Sequence, residues 1–164
     1  MNEEPYKGYS MKWYKFLIYF ELIASGILNI ISGFLKFIRK SPELTEIARE
    51  EMMEKAPFLN VTDLTIGFFC IGIAVLFFVS RHKLANFNHR GPLLLHITYL
   101  SVAVVNVAAF AIYFFGSKGL TMSAEMAYER MGLSALIQGI AAVVLMIVDH
   151  IYFGKRKELF CYDD

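Results

Sequence analysis

Four long apolar runs limit what this chain can fold into more than any other feature of its sequence. A helix that crosses a bilayer needs about 20 mostly apolar residues. The runs that approach or exceed this length cover residues 13–38, 64–80, 93–115 and 131–153. A backbone in hydrocarbon must satisfy its own hydrogen bonds, and the alternation typical of strands is absent, so each run is predicted to be helical. The sequence therefore predicts an all-α bundle of four membrane-spanning helices, forming a single membrane domain over residues 1–164.

Composition agrees with a membrane protein and excludes several other classes. The chain is 57% hydrophobic, whereas soluble domains average about 45–50%. A net charge of +1 gives no reason to expect nucleic acid as a partner. Cys70 lies in an apolar run and Cys161 in a charged tail, so neither a disulfide nor a zinc-type cysteine pair is expected. We therefore expect the lipid bilayer as a partner, and no cofactor or metal.

The first connection, "SPELTEIAREEMMEKAP", is predicted to form a short amphipathic helix over about residues 42–55 on the extracytoplasmic face. Ser41 is placed to cap it and Pro42 to occupy its first position. One side of this helix is apolar and consists of Leu44, Ile47, Ala48 and Met52. It could lie in the lipid interface, dock a partner or cover the end of the bundle. We favour a cover, because short helices need tertiary support.

Basic residues predict the orientation of the chain in the membrane. Lysine and arginine near span ends favour the cytoplasmic side. Two clusters poor in acidic residues follow the second and fourth runs, and they consist of Arg81, Lys83, Arg90, Lys155, Arg156 and Lys157. Both termini are therefore predicted to be cytoplasmic, and the same six residues are candidate contacts for lipid headgroups or for a partner.

Glu21 stands out because it is an acidic residue inside the first run. A carboxylate at the centre of a spanning helix costs about 2.5–3.5 kcal/mol on insertion scales, so a compensating environment is expected. With a rise of about 1.5 Å per helical residue, Glu21, His96 and Asp149 are predicted to share one layer of the cytoplasmic leaflet. They form the centre of a candidate polar cluster.

Other polar residues extend that cluster along the bundle. Glu21 begins a stripe on one face of the first run that continues through Ser25, Asn29, Ser32 and Lys36. The third run offers a matching line with His96, Tyr99, Asn106 and Tyr113, and the fourth offers Ser134, Gln138 and Asp149. The bundle interior is therefore predicted to be polar, with Asn29, Asn106 and Gln138 completing the candidate intramembrane cluster.

Three functional interpretations remain open at this point. The polar groups could bond the helices to one another, with Glu21 protonated or paired with His96. They could relay a proton or an ion. They could also bind a metal or act as acid and base in an enzyme, although no H-E-x-x-H or G-x-S-x-G motif is present. We expect a non-catalytic protein that associates with itself or with a larger membrane partner. A proton-coupled permease or channel is the alternative, and a membrane enzyme is the second alternative.

The flanks of the first and fourth runs carry a resemblance to known proteins. Residues 13–16, "WYKF", open the first run, and "IYFGKRKELF" closes the fourth. With this layout the chain resembles a group of uncharacterised small four-span bacterial membrane proteins. The resemblance implies a bacterial cytoplasmic membrane and transfers no functional residue.

Overall fold

The computed structural model describes residues 10–38 and 46–160, and these residues form helices without any strand. Four long helices, called here the first to fourth spans, cover Lys12–Phe37, Pro57–Ala85, Gly91–Gly116 and Met122–Gly154. Each is long and apolar enough to cross a membrane. A short loop helix covers Glu46–Lys55, and a 3-10 turn covers Lys157–Phe160. The prediction of an all-α bundle with four spans is confirmed.

Two spans extend well beyond the apolar runs that predicted them. The second span begins at Pro57, which suits the first position of a helix, rather than at residue 64. The fourth begins at Met122 rather than at residue 131. Hydropathy marks the part of a helix suited to hydrocarbon, and a helix can continue into water beyond it. The predicted beginning of the loop helix at residues 41–45 lies outside the described residues.

The spans pack in chain order, each against the next. The first two approach most closely at Gly33 and Gly67. A Cβ atom on Gly33 would lie 2.9 Å from the carbonyl oxygen of Gly67. Only glycine permits this backbone contact, which is typical of tightly packed membrane helices. The first and second spans are therefore held together over their backbones.

A cluster of buried apolar residues packs toward each end of the bundle. At the terminal end, where the first span begins and the fourth ends, the Tyr14 hydroxyl donates to the Leu84 carbonyl. The cluster there also contains Leu17, Leu22, Phe77, Leu95, Phe153 and Phe160. At the opposite end, called here the loop-helix end, the cluster contains Met52, Leu59, Tyr113, Tyr128 and Met131.

The loop helix covers its end of the bundle by packing on the second and fourth spans. Met52 is buried and accepts a hydrogen bond from the Tyr128 hydroxyl through its sulfur. Ile47, predicted on the same apolar side, is 77% exposed. Leu44 and the side chain of Ala48 lie outside the described part of the chain. The helix is therefore a cover, although its contact rests on Met52 rather than on the full predicted stripe.

The first span contains a π-helical turn at Leu17–Glu21, which the sequence did not predict. Such turns break the regular ladder of backbone bonds and are frequent at functional sites. Here the Arg81 side chain donates from Nε to the Ile18 carbonyl over 3.0 Å. The irregular turn ends at Glu21, and the second span supports it from the side.

Candidate functional site

A cavity of about 520 Å³ lies between the four spans. Its floor comes from the second and third spans and includes Ile73, Phe77, Val102 and Val105. The exposed residues along its edge belong to the first and fourth spans, and they are Leu28, Ser32, Ser134, Gln138 and Ala141. The cavity is therefore a cleft that opens sideways between the first and fourth spans, and we call it the cleft.

The predicted polar stripe of the first span forms one wall of the cleft. All five of its residues line the cavity: Glu21, Ser25, Asn29, Ser32 and Lys36. Glu21 and Lys36 are separated by about 22 Å along the helix, at about 1.5 Å per residue. This distance covers most of a hydrocarbon core of about 30 Å. The cleft thus has a carboxylate near its terminal end and an ammonium near its loop-helix end.

Three polar side chains meet at the terminal end of the cleft. Glu21 is 9% exposed, Tyr99 2% and Asp149 fully buried. The Tyr99 hydroxyl lies close enough to interact electrostatically with both carboxylates. Glu21 accepts a hydrogen bond from Ser25 over 3.0 Å, and Asp149 accepts one from the Trp13 indole over 2.8 Å. The structure therefore brings Glu21 and Asp149 together, as the layer predicted.

Part of this group is not satisfied by the protein. Glu21 Oε2, Asp149 Oδ2 and the Tyr99 hydroxyl are buried, and within residues 10–38 and 46–160 none of them has a hydrogen-bond partner. Most buried polar atoms in proteins are hydrogen-bonded, because an unpaired one costs about 1–3 kcal/mol. The terminal end of the cleft can therefore accept further hydrogen bonds at these atoms.

His96 does not join this group, although it lies at the same level. Its Nδ1 is 2.6 Å from the Pro92 carbonyl oxygen, and its ring centroid is 5.4 Å from that of His150. Tyr99, three residues later on the helix, takes the position that faces the cleft. Side chains three residues apart on a helix point in directions that differ by about 60°, so His96 points away from the direction of Tyr99. The structure therefore does not support the hypothesis that Glu21 pairs with His96.

The candidate amides Asn29, Asn106 and Gln138 all line the cleft, but their described hydrogen bonds stay within their own helices. Asn29 donates to the Ser25 carbonyl and Asn106 to the Val102 carbonyl, each over 2.9 Å. Gln138 donates to Ser134 over 3.3 Å. These three amides therefore face a shared cavity without bonding to another span in the described structure.

The loop-helix end of the cleft holds a second polar group, which the sequence analysis missed. Lys36 Nζ is 3.1 Å from Asp63 Oδ1 and 2.9 Å from the Tyr113 hydroxyl. Tyr113 also donates a hydrogen bond to Asp63. Asp63 was overlooked because it lies just before the run that predicted the second span. The sequence did offer a clue to this pair, because Lys36 lies near the end of the first apolar run and Asp63 lies just before the second.

Arg81 and Arg156, two of the candidate headgroup contacts, form contacts that join separate parts of the molecule. Arg81 points inward to the Ile18 carbonyl rather than outward. Arg156 lies over the Tyr152 ring at 3.8 Å and reaches the Ser10 carbonyl at 3.4 Å. These two arginines hold the terminal end together. Headgroup binding by the other four stays a prediction, and those four are Lys83, Arg90, Lys155 and Lys157.

The structure also bears on the hypothesis that the polar groups bind a metal ion. The described ranges contain no group of three or more histidine, cysteine, aspartate or glutamate side chains that could hold a metal ion. His96 and His150 form a pair without a third such neighbour in those ranges.

No family model, curated protein or solved structure matches this chain. The geometry of the cleft is therefore the basis for a functional proposal. That geometry is a cleft with an apolar floor, polar walls and unsatisfied acidic groups at one end.

Proposed function

We propose that this protein binds an amphiphilic molecule of the bilayer in the cleft, as a binding protein rather than an enzyme. The observation that carries the proposal is the direction in which the cleft opens. Its exposed edge lies between the first and fourth spans, and a cluster of buried apolar residues packs toward each end of the bundle. A ligand would enter from the lipid rather than from water.

The size and lining of the cleft fit such a ligand. Small-molecule sites commonly enclose about 300–1,000 Å³, and this cavity measures about 520 Å³. Phe77, Val102 and Val105 offer an apolar surface on the floor, while Glu21 and Asn29 offer polar groups on the wall. A molecule with an apolar body and one polar group would satisfy both surfaces.

The test is to block the mouth of the cleft without disturbing the core. Ala141 is exposed and lines the cleft, so Ala141→Trp should fill its mouth. Val144 is exposed on the same helix but does not line the cleft, so Val144→Trp is the matched control. Native mass spectrometry should show amphiphiles bound to the wild type and to the control, with at least about tenfold less on Ala141→Trp. Equal retention by both variants would contradict the proposal, as would a wild type that carries no bound molecule.

A second candidate function is association with another copy of the chain or with a larger membrane partner. Gln138 and Ser134 favour it, because both are exposed at the edge of the cleft, where lipid would meet a polar amide and a hydroxyl. In a two-fold dimer about the membrane normal, a residue close to the axis meets its own copy at the same depth. Glutamine and serine both donate and accept, so each can bond to itself.

Cysteine cross-linking tests this association. The native thiols are first removed by Cys70→Ala and Cys161→Ser. Gln138→Cys should then form a disulfide between copies in membranes, while Val144→Cys should not. If Gln138→Cys stays monomeric while a larger protein is captured at this position, the partner is different. If neither is found, the association is excluded.

The cellular setting is also a proposal, namely a bacterial cytoplasmic membrane with both termini in the cytoplasm. The basic residues at the terminal end, with Arg90, Lys155 and Lys157 exposed, support this orientation. A thiol at Lys155→Cys in the same cysteine-free background should resist a membrane-impermeant maleimide in intact cells. Rapid labelling there would reverse the orientation.

A further inference from the structure

We infer that the terminal end of the cleft recognises a cationic group, so that the ligand is an amphiphilic ammonium compound. This inference rests on the proposed function and names the chemical class of its ligand. Glu21 and Tyr99 line the cleft, and the buried Asp149 is near enough to interact electrostatically with Tyr99. Two carboxylates and a hydroxyl therefore lie near one another at this end.

The charges around this point favour a cation over an anion. Within the described ranges, none of the ion pairs includes Glu21 or Asp149. Arg81 is the cation seen to reach the same turn of the first span, and its Nε bonds to the Ile18 carbonyl. Buried carboxylates without a paired cation are costly, so binding of an ammonium would be strongly favoured.

Hydrogen bonding points in the same direction. An ammonium group has only donors, up to three of them. The atoms without partners at this end are Glu21 Oε2, Asp149 Oδ2 and the Tyr99 hydroxyl oxygen, and all three can accept. A primary ammonium in the cleft could therefore donate to Glu21 and Tyr99, while Asp149 adds a second negative charge beside Tyr99. Such charge-assisted bonds are among the strongest in proteins.

The apolar part of the ligand has a route out of the cleft. Leu28 and Leu145 line the cleft on opposite sides of its mouth, two turns and one turn from Glu21 and Asp149 respectively. An alkyl chain whose ammonium sits at the carboxylates would pass between these leucines and continue into the bilayer. The opposite end offers no equivalent site, because Lys36 is already paired with Asp63.

Trp13 provides a reporter beside the site. It is the sole tryptophan of the chain, and its indole donates to Asp149 over 2.8 Å. A cation bound at Asp149 changes the electric field at this indole, so binding should shift Trp13 fluorescence. The melting temperature gives a second, independent readout, because a ligand stabilises the state that it binds.

The experiment compares two probes that differ in charge but share one alkyl chain. The full chain is placed in nanodiscs of zwitterionic phosphatidylcholine at neutral pH and titrated with dodecylammonium or with uncharged dodecanol. We expect both to bind, with dodecylammonium half-saturating at a concentration at least about tenfold lower, because hydrogen bonds to charged groups are worth about 1.5–3 kcal/mol. Equal half-saturation would overturn the cation inference and leave the cleft proposal intact. No response to either probe, in fluorescence or in melting temperature, would overturn both.

Variants then locate the preference. Glu21→Gln and Asp149→Asn keep the side-chain shape and an acceptor oxygen, so the Trp13 bond can persist in the second. Each should remove most of the preference for dodecylammonium while dodecanol still binds. Glu125→Gln is the matched control, because Glu125 pairs with Lys118 away from the cleft. A preference that survives both Glu21→Gln and Asp149→Asn would contradict the assignment.

Discussion

Each end of the cleft has an aspartate beside a tyrosine, and the two ends differ in their third polar side chain. It is a lysine at the loop-helix end and a glutamate at the terminal end. At the loop-helix end an aspartate and a tyrosine, Asp63 and Tyr113, share Lys36 between them. At the terminal end Tyr99 stands beside Glu21 and Asp149, and no lysine reaches them in the described structure. Tyr99 and Tyr113 even lie on nearly the same face of the third span, since fourteen residues amount to almost four full turns.

The presence or absence of a paired cation distinguishes a structural polar group from a binding site in this membrane protein. A carboxylate that already has a cation and a hydroxyl donor serves the fold, and removing a partner costs stability. A carboxylate group without that cation is held in place by the fold but is completed only by another molecule.

Lys36→Met should be the most damaging change. It leaves the buried Asp63 beside Tyr113 without its cation, and breaking a buried pair from one side typically costs about 3–5 kcal/mol. Unfolding in detergent micelles should show a large loss of stability. Lys55→Met is the control, because the Lys55 pair with Glu51 is exposed on its lysine side. Similar losses in the two variants would show that the loop-helix end is not held by its ion pair.

The two tyrosines give the second comparison. Tyr113→Phe removes a hydroxyl that bonds to both Lys36 and Asp63, so about 1–3 kcal/mol should be lost. Tyr99→Phe removes a hydroxyl that lies near Glu21 but has no described partner at ordinary hydrogen-bond distance, and it should change stability by less than about 1 kcal/mol. The Tyr99 variant should instead weaken dodecylammonium binding. If stability fell equally in both, the contrast between the ends would fail.

Arg81 tests what the terminal end itself needs. Arg81→Gln loses the bond to the Ile18 carbonyl in the π-helical turn, and a bond from a charged group is worth about 1.5–3 kcal/mol. Lys83→Gln, two residues away without a described partner, should cost little. Chemical unfolding of both variants measures the difference. Equal stability would mean that the π-helical turn does not depend on the arginine.

A smaller effect is expected outside the spans, where the loop helix meets Thr121. The Thr121 hydroxyl and amide both donate to Glu51, which lowers the pKa of that carboxyl, and Lys55 lowers it further. A carboxyl with a lower pKa in the folded state stabilises the fold above its ordinary pKa of about 4.3. That contribution is lost as pH falls through the folded-state pKa.

Melting curves of the wild type and Glu51→Gln should therefore differ slightly at neutral pH and converge in acid. A difference that grew in acid would give the wrong sign and contradict the assignment. Because Glu51 lies at the covered end, this measurement also shows whether polar contacts hold the loop helix in place.

The smallest effect is expected for transport. If the cleft only binds, proteoliposomes should show no pH-dependent flux of alkylammonium, and Glu21→Gln should change nothing. Flux that Glu21→Gln abolished while the fold stayed intact would establish the proton-coupled permease instead. In that case the carboxylates would be a relay, and the terminal end would differ from the other in mechanism as well as in pairing.

Much of this architecture could be read from the sequence, because hydrocarbon imposes simple rules on length and polarity. The four helices and the stripe from Glu21 to Lys36 follow from the span length and the helical period. The layer that joins Glu21 to Asp149 follows from counting the helical rise. These features depend on one helix at a time or on depth alone.

The rest depends on rotation and pairing, which no single run encodes. Tyr99 and His96 were both predicted on the polar line of the third span, but only Tyr99 lines the cleft with Glu21. Asp63 lies beyond the apolar run, so hydropathy hid its pairing with Lys36. The π-helical turn before Glu21 has no signature in its five residues, LIYFE. Helix rotation is set by packing against neighbours, and packing is the property that one sequence shows least.

The contact between Gly33 and Gly67 has a consequence for how the cleft could change its width. It joins the first two spans backbone to backbone, so we expect these two helices to tilt together as one unit. The hinge of this movement would be the contact between the second and third spans. A methyl group at Gly67 would lie 3.2 Å from the Gly33 carbonyl oxygen and 3.4 Å from Cβ of Lys36. It would therefore press on the first span and change the opening at the far edge of the cleft.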